Sequence, residues 1–258
     1  MRYITICLLT LLLAACDHID REDRLIYEKP VTSRRAVLLE DFTGQQCVNC
    51  PKGTEVIDQL VATYGDTAVI AVGIHGGPLG FKGNATTLGL ATETGDEYYN
   101  HWNLEYQPVG LVNRHAPINY PEWAAAVKEE LAKSAPLTLT ASATAEGSHT
   151  LHIGITATAI DGTINGKLQV WVLEDGITAM QLMPDGSANA DYVHNHVFRQ
   201  AVNGTWGEDI TIREGESRHW EYTQAIDAGW NIRNLSIVAF VYNDSGVLQA
   251  TKTPIRDK

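Results

Sequence analysis

Positive charge is scarce in this chain. Its 258 residues carry 19 Lys and Arg against 31 Asp and Glu, a formal net charge of −12. Such a surface repels nucleic acid and anionic lipid headgroups, which excludes both as partners. Long apolar runs are also missing. The most continuous one, Ile4 to Leu13, is about half of what a membrane-spanning helix needs. Cysteine is sparse: there are four, and Cys7 and Cys16 lie near the N-terminus, so Cys47 and Cys50 meet no competing thiol in the rest of the chain. No internal repeat or low-complexity segment is found. What remains is a chain with 44% hydrophobic residues, globular in composition and long enough for two ordinary domains.

The N-terminus reads as an export signal. Arg2 supplies the positive start, Ile4 to Leu13 the apolar stretch, and Leu13-Ala14-Ala15-Cys16 resembles the lipobox cut by lipoprotein signal peptidase. The expectation is a signal peptide over residues 1–15 and a lipid on Cys16; the competing reading is an ordinary secretory signal with an incidental cysteine. Removing 1–15 takes away Arg2 alone among the charged residues. Residues 16–35 are charged, without a sustained apolar period, and read as a lipidated tether. Its acidic cluster (Asp17, Asp20, Glu22, Asp23) loosely resembles surface-export signals of Bacteroidetes-type lipoproteins, or is simply a soluble linker.

Downstream, Ala36 to Phe42 and Ala68 to Ile74 are short apolar runs expected as buried strands, and Cys47 to Tyr64 between them has helical spacing. That order is a βαβ unit, which requires a parallel strand pair. A helical stretch is expected over Thr86 to Trp102, a strand over Val109 to Asn113, and a helix over Pro121 to Lys133 with the proline in its first turn. After Pro136 the period becomes two. Leu137 to Thr144, His152 to Thr158 and Lys167 to Leu173 alternate, and Leu235 to Tyr242 with Val247 to Thr253 makes a closing hairpin. The expected fold is therefore two domains. Residues 36–135 form an α/β domain, and residues 136–258 an antiparallel β-sandwich of immunoglobulin or fibronectin size.

Cys47-Val48-Asn49-Cys50 opens the first helix directly after a strand, where the helix N-terminus favours a thiolate. Three readings stay open: a redox-active dithiol, a structural disulfide, and a metal site, for which a second cysteine pair is missing. His75 and His115 are candidates to approach the cysteines. If the pair is redox-active, Cys47 is expected to be the more exposed and more acidic thiol.

The pattern Asp41-Phe42-(four residues)-Cys47-x-x-Cys50 resembles the thioredoxin superfamily, with Gln107-Pro108-Val109 where that family has its cis-proline loop. The resemblance implies Cys47 as nucleophile, Cys50 as resolving thiol, Asp41 as proton acceptor and Pro108 as the cis-proline. Gln46 replaces the family's usual tryptophan, and Pro51 replaces a frequent basic residue. The whole chain resembles the 28-kilodalton outer-membrane-protein family of Bacteroidetes-type lipoproteins, through Glu40 to Gly44, Cys47 to Pro51, Val109 to Arg114, Val170 to Gly176, Asp191 to Arg199 and Asn203 to Gly207. This resemblance implies an outer-membrane lipoprotein, facing the periplasm or the cell surface, with a thioredoxin-like domain joined to a β-sandwich.

Weaker patterns were weighed beside these. Tyr192, His194, His196 and Phe198 share a face if they lie on one strand, and His194 and His196 with Asp191 are weak metal candidates. Asp185, Ser187, Asn189 and Asp191 alternate like the start of a calcium loop, but Ala190 and His196 stand where the glycine and the glutamate belong. The six tryptophans are read as core and interface residues rather than a sugar-binding platform. No cofactor is called for. The function expected is a surface binding or assembly module on a thioredoxin-like scaffold, recruiting an unidentified protein or glycan; the alternative is a thiol–disulfide oxidoreductase using Cys47 and Cys50.

Overall fold

The computed structural model describes residues 33–257. After a two-residue strand, β1 (Ser33–Arg34), come β2 (Val37–Thr43) and β3 (Val69–His75), both buried at every position. A strand covered on both faces suits parallel pairing, and these two pair in parallel with Val37 opposite Val69. Their crossover is α1 (Cys50–Tyr64), with Pro51 in its first turn, where a missing N–H costs nothing. The helix stops at Gly65, whose φ of 87° a side chain would resist.

The helix expected from Thr86 is shorter. Only Glu93–His101 is helical (α2), started by Thr92, whose side chain accepts from Gly95 N. Ahead of it Asn84 Oδ1 accepts from the N–H groups of Thr86 and Thr87, and a Cβ on Gly89 would lie 2.0 Å from Gly83 N. Side-chain turn bonds and close backbone packing win there over helical spacing. β4 (Val109–Val112) pairs antiparallel with β2 and with β5 (Ile118–Asn119). A 3₁₀ turn at Tyr120–Glu122 leads into α3 (Trp123–Leu131), and β6 (Ser134–Ala135) pairs with β1.

Among the described residues no α-helix follows. The strands are β7 (Leu137–Glu146), β8 (Thr150–Ala159), β9 (Ile164–Glu174), β10 (Ile177–Leu182), β11 (Ala188–His194), β12 (Val197–Ala201), β13 (Glu208–Ile212), β14 (Ser217–Ala225), β15 (Leu235–Asn243), β16 (Gly246–Pro254) and β17 (Arg256–Asp257). One nine-stranded sheet runs β16-β15-β9-β12-β3-β2-β4-β5, with β13 also on β9. Strands from beyond residue 136 thus continue the sheet begun by β2 and β3. The join is β12, antiparallel to β9 and parallel to β3, where Val197 faces Gly73.

Strand alternation distributes the cores. Leu168, Val170 and Val172 of β9 face the four-stranded sheet β14-β8-β7-β17, while Trp171 and Leu173 face a second core with Phe42, Ile70, Tyr98 and Phe240. On β2, Val37 and Leu39 point toward α1 and α3, whereas Leu38 and Phe42 join the Trp171 core. The same alternation sends the adjacent acids Glu40 and Asp41 to opposite faces.

Candidate functional site

Cys47 and Cys50 form a disulfide, with Cα atoms 5.4 Å apart. Cys50 is the first residue of α1, and Cys47 lies in the loop before it, where its N–H donates to Gly44 O at 3.0 Å. Gly44 has no room for a side chain, since a Cβ there would lie 2.2 Å from Leu79 O. The two cysteines are equally covered, each 2% exposed. This corrects the expectation that Cys47 is the more exposed of the two, and the cause is the β10–β11 hairpin. Gln181 Nε2 donates to Cys47 O at 2.8 Å and to Gly44 O at 3.3 Å, and Leu182 N donates to Gln45 O at 2.9 Å. Gln45 answers with its own amide, which donates to Met180 O and accepts from Leu90 N.

Beneath the disulfide is a cavity of about 30 Å³, lined by Asp41 and Thr43 of β2, Gly73 and His75 of β3, Cys50, Pro51 and Thr54 of α1, and Gln181, Tyr192 and His194 of the hairpin. Cys50 lines it and Cys47 does not. Asp41 is buried, its Oδ1 has no hydrogen-bond partner, and burial pushes its carboxyl up to about 8. The acid is therefore mostly protonated at neutral pH and able to exchange its proton there. His75 is driven down to about 3 by burial and by the charges of His194 and Arg199, against a backbone bond at Gly73. His194 falls to about 4, again chiefly through burial. Both imidazoles are neutral, their rings 5.3 Å apart, and His75 Nδ1 and His194 Nε2 are buried without a partner. A space of this size, edged by three such atoms, has room for a water molecule. Tyr192 of the hairpin and Thr54 of α1 both line it.

The peptide bond Gln107–Pro108 is cis, the isomer expected from the sequence. Pro108 packs one turn beyond Cys50, since a Cβ on Gly53 would meet Pro108 Cβ at 3.3 Å. Gln107 fixes this loop to the strand ends, donating to Thr43 O at 2.7 Å and Gly76 O at 3.0 Å.

The family described as outer membrane protein Omp28 matches residues 95–258, more than half of the chain. The chain belongs to the Omp28 family. The protein is thereby placed at the outer membrane. The family match begins beyond the two cysteines. Among solved structures, this Omp28-family chain is similar to HBP35 of Porphyromonas gingivalis, with a TM-score of 0.67 and 18% identity over 88% of this chain and 77% of that one. That likeness extends the fold match across both halves. A domain of the outer membrane lipoprotein Omp28 from Porphyromonas gingivalis is also similar, with 26% identity, a TM-score of 0.37, and coverage of 48% of this chain and 91% of that one. No curated protein matches the sequence.

The structure of this Omp28-family protein thus brings together Cys47, Cys50, Asp41, Pro108 and His75. It sends His115 elsewhere, to Glu130 at 3.3 Å. His194 and His196 both line the cysteine cavity, but Asp191 is exposed outside it. β11 ends at His194, and His196 has a φ of 57° and turns to Asp175 at 3.1 Å, which breaks the single strand that the alternate-residue reading assumed. Asp185 Oδ1 accepts from the N–H and hydroxyl of Ser187, so the calcium-like run is a turn. Among the described residues no group of three His, Cys, Asp or Glu side chains is arranged to hold a metal. Gln181 and Gln45 escaped the sequence reading. Glutamine carries no chemical signature, and Gln181 reaches the site only through the hairpin. Cys16 and residues 17–32 of the expected tether lie outside the described residues, whereas its last three residues belong to the fold: Ser33–Arg34 is β1, paired with β6.

Proposed function

We propose that this outer-membrane protein catalyses thiol–disulfide exchange at Cys47 and Cys50, on a thioredoxin-like part (residues 36–135) followed by a β-sandwich (residues 136–258). The observation that carries the reading is the cavity shared by Cys50 and the partnerless carboxyl of Asp41. In the reduced protein the Cys47 thiolate attacks a sulfur of a substrate disulfide, forming a mixed disulfide and releasing one substrate thiolate. The ionised fraction of Asp41, a minority at neutral pH, takes the proton of Cys50. The Cys50 thiolate then attacks Cys47 Sγ, expels the second substrate thiolate and leaves the Cys47–Cys50 disulfide. Two electrons pass to the substrate; of the two protons its thiolates take up, one is the Cys50 proton handed on from Asp41 and the other comes from the solvent that received the Cys47 proton. An acid held near 8 is matched to this transfer at neutral pH.

Access requires the hairpin to release the loop, because Gln181 and Leu182 hold it closed. The test is the Cys50→Ser variant, mixed with a disulfide-bonded peptide. The expected result is a stable mixed disulfide on Cys47 and a potential for the native pair above about −300 mV. A lower potential with no trapped adduct identifies a structural disulfide. We also propose Cys16 as the lipid anchor, for which Cys16→Ala should abolish metabolic lipid labelling and release the protein from membranes.

A further inference from the structure

A larger recess lies among β9, β13, α2 and the β15–β16 turn, away from the cysteines. This cleft of about 780 Å³ falls within the range of small-molecule sites. Its walls include Trp102, Trp206 and Tyr242, with Arg114 at depth and Asn165, Asp209 and Asp244 at the exposed rim.

The deep end is built from the other acid of β2. Glu40 receives Arg114 Nε and Nη2 at 3.2–3.3 Å, fully enclosed. Burial, the largest single effect, opposes the charge on Arg114, but Glu40 together with Tyr242 and Tyr98 outweighs it and holds the guanidinium above its ordinary range, while burial pushes the Glu40 carboxyl up. The rings of Tyr242 and Phe240 lie 4.3 and 4.7 Å from it. One nitrogen remains: Arg114 Nη1 is buried with no partner, and so is Trp102 Nε1. Both residues line the cleft. An orphaned buried donor costs free energy unless something accepts from it.

Charge narrows the occupant. Arg114 is offset by Glu40 and Lys167 by Asp209 at 2.7 Å, which leaves Asp244 uncompensated at the rim. An anion would meet net negative charge, and a cation would meet the guanidinium at depth. A hydroxyl satisfies both ends, since it accepts from Arg114 and Trp102 and donates to Asp209 and Asp244. The Trp206 ring lines the cleft and is fixed by His101 at 4.1 Å, by Tyr98 at 5.0 Å and by its own N–H on Glu97 at 2.8 Å, and a fixed aromatic ring is a platform for apolar C–H groups. Several hydroxyls around a ring with an apolar face describe a pyranose. We propose that this cleft binds a neutral sugar residue, with Arg114 and Trp102 as donors at depth and Trp206 as the stacking platform. Trp123 and Trp171 are wholly buried; Trp102 and Trp206, like Trp220 and Trp230, are half-buried against a core, and of these four only Trp102 and Trp206 line the cleft.

The test is saturation-transfer NMR on the purified full chain with the methyl pyranosides of glucose, galactose and mannose, and with methyl glucuronide as the charged control. The expected result is transfer to at least one neutral glycoside and little to the glucuronide. Trp102→Phe removes the orphaned N–H together with the five-membered ring that carries it and keeps one aromatic ring. It should weaken binding at least about tenfold, the worth of one hydrogen bond, with the folded fraction checked by a melt because Trp102 also packs on the core. Asp244→Ala should weaken binding severalfold, and Trp206→Ala should abolish it. No binding of any neutral glycoside overturns the proposal, as does a preference for glucuronide. Binding that ignores Trp102→Phe and Asp244→Ala also overturns it, by placing the sugar elsewhere.

Discussion

Replacing Asp41 by Asn should make the protein more stable and less active, and the size of the first effect follows from the cavity. Burial raises the carboxyl from 3.8 to about 8 in the folded chain. An acid with a raised folded value favours folding fully only below its unfolded value, and that contribution is lost as pH rises through the folded value. Between pH 4 and 8 the wild type therefore forfeits about 1.4 kcal/mol per pH unit at this one group. At pH 7 the accumulated loss is on the order of 4 kcal/mol. Asparagine does not ionise, so Asp41→Asn escapes it. Urea denaturation of the two oxidised proteins from pH 4 to pH 8 should give curves that nearly coincide at pH 4 and diverge steadily above it. All other titrating groups are common to both, so the difference isolates position 41. In the same variant, exchange should slow, because Cys50 has lost its proton acceptor. Parallel stability profiles at every pH would refute the assignment of Asp41 as a buried, partnerless acid, whatever the activity does.

Two further substitutions probe what surrounds the site. Gln181→Ala removes the bonds that tie the hairpin to Cys47 O and Gly44 O; it should cost about 1 kcal/mol and speed reduction of the disulfide by dithiothreitol roughly fivefold, and an unchanged rate would show that the hairpin does not limit access. Glu40→Gln leaves Arg114 charged and uncompensated among Tyr98, Trp171, Phe240 and Tyr242. It should destabilise the fold by about 3–5 kcal/mol in a urea melt, and a loss below 1 kcal/mol would mean that the pair is not buried as described.

Local pattern was enough to find the strand–helix–strand unit and the cysteine pair at the helix start, and the thioredoxin-like motif pointed to the acid on the strand before it. Those residues lie close together in the chain and follow a fixed period. The cover over Cys47 was not legible, because its contacts join residues such as Gln181 and Gly44 that no local spacing relates. Glu40 was quoted only as part of a motif. Its importance depends on Arg114, which approaches from the turn after β4 with a φ of 60°, a conformation that the residue type does not advertise. The alternate-residue reading of Tyr192 to Phe198 holds for Tyr192 and His194, whose rings lie 4.8 Å apart, and stops there because the strand ends at His194 and His196 adopts a positive φ. Trp102 and Trp206 could not be told from core tryptophans by type, since only the fold decides which ring faces a cleft.

The neighbouring carboxyls of β2 also act as an alignment key. A slip of one residue in this strand would exchange its faces. Asp41, one methylene shorter, would then point into the aromatic core toward Arg114, and Glu40 would enter the cysteine cavity. The guanidinium would lose its two-point partner, at a cost comparable to breaking a buried ion pair, several kcal/mol. Apolar residues line β2 on both sides, so hydrophobicity alone would tolerate the slipped pairing almost as well as the native one. The two acids differ in length and in what awaits them, and that difference is what tells the registers apart. An insertion or deletion of a single residue inside β2 should therefore be far less tolerable than one in the turns at residues 147, 162 or 186, where glycines with positive φ have open space around them.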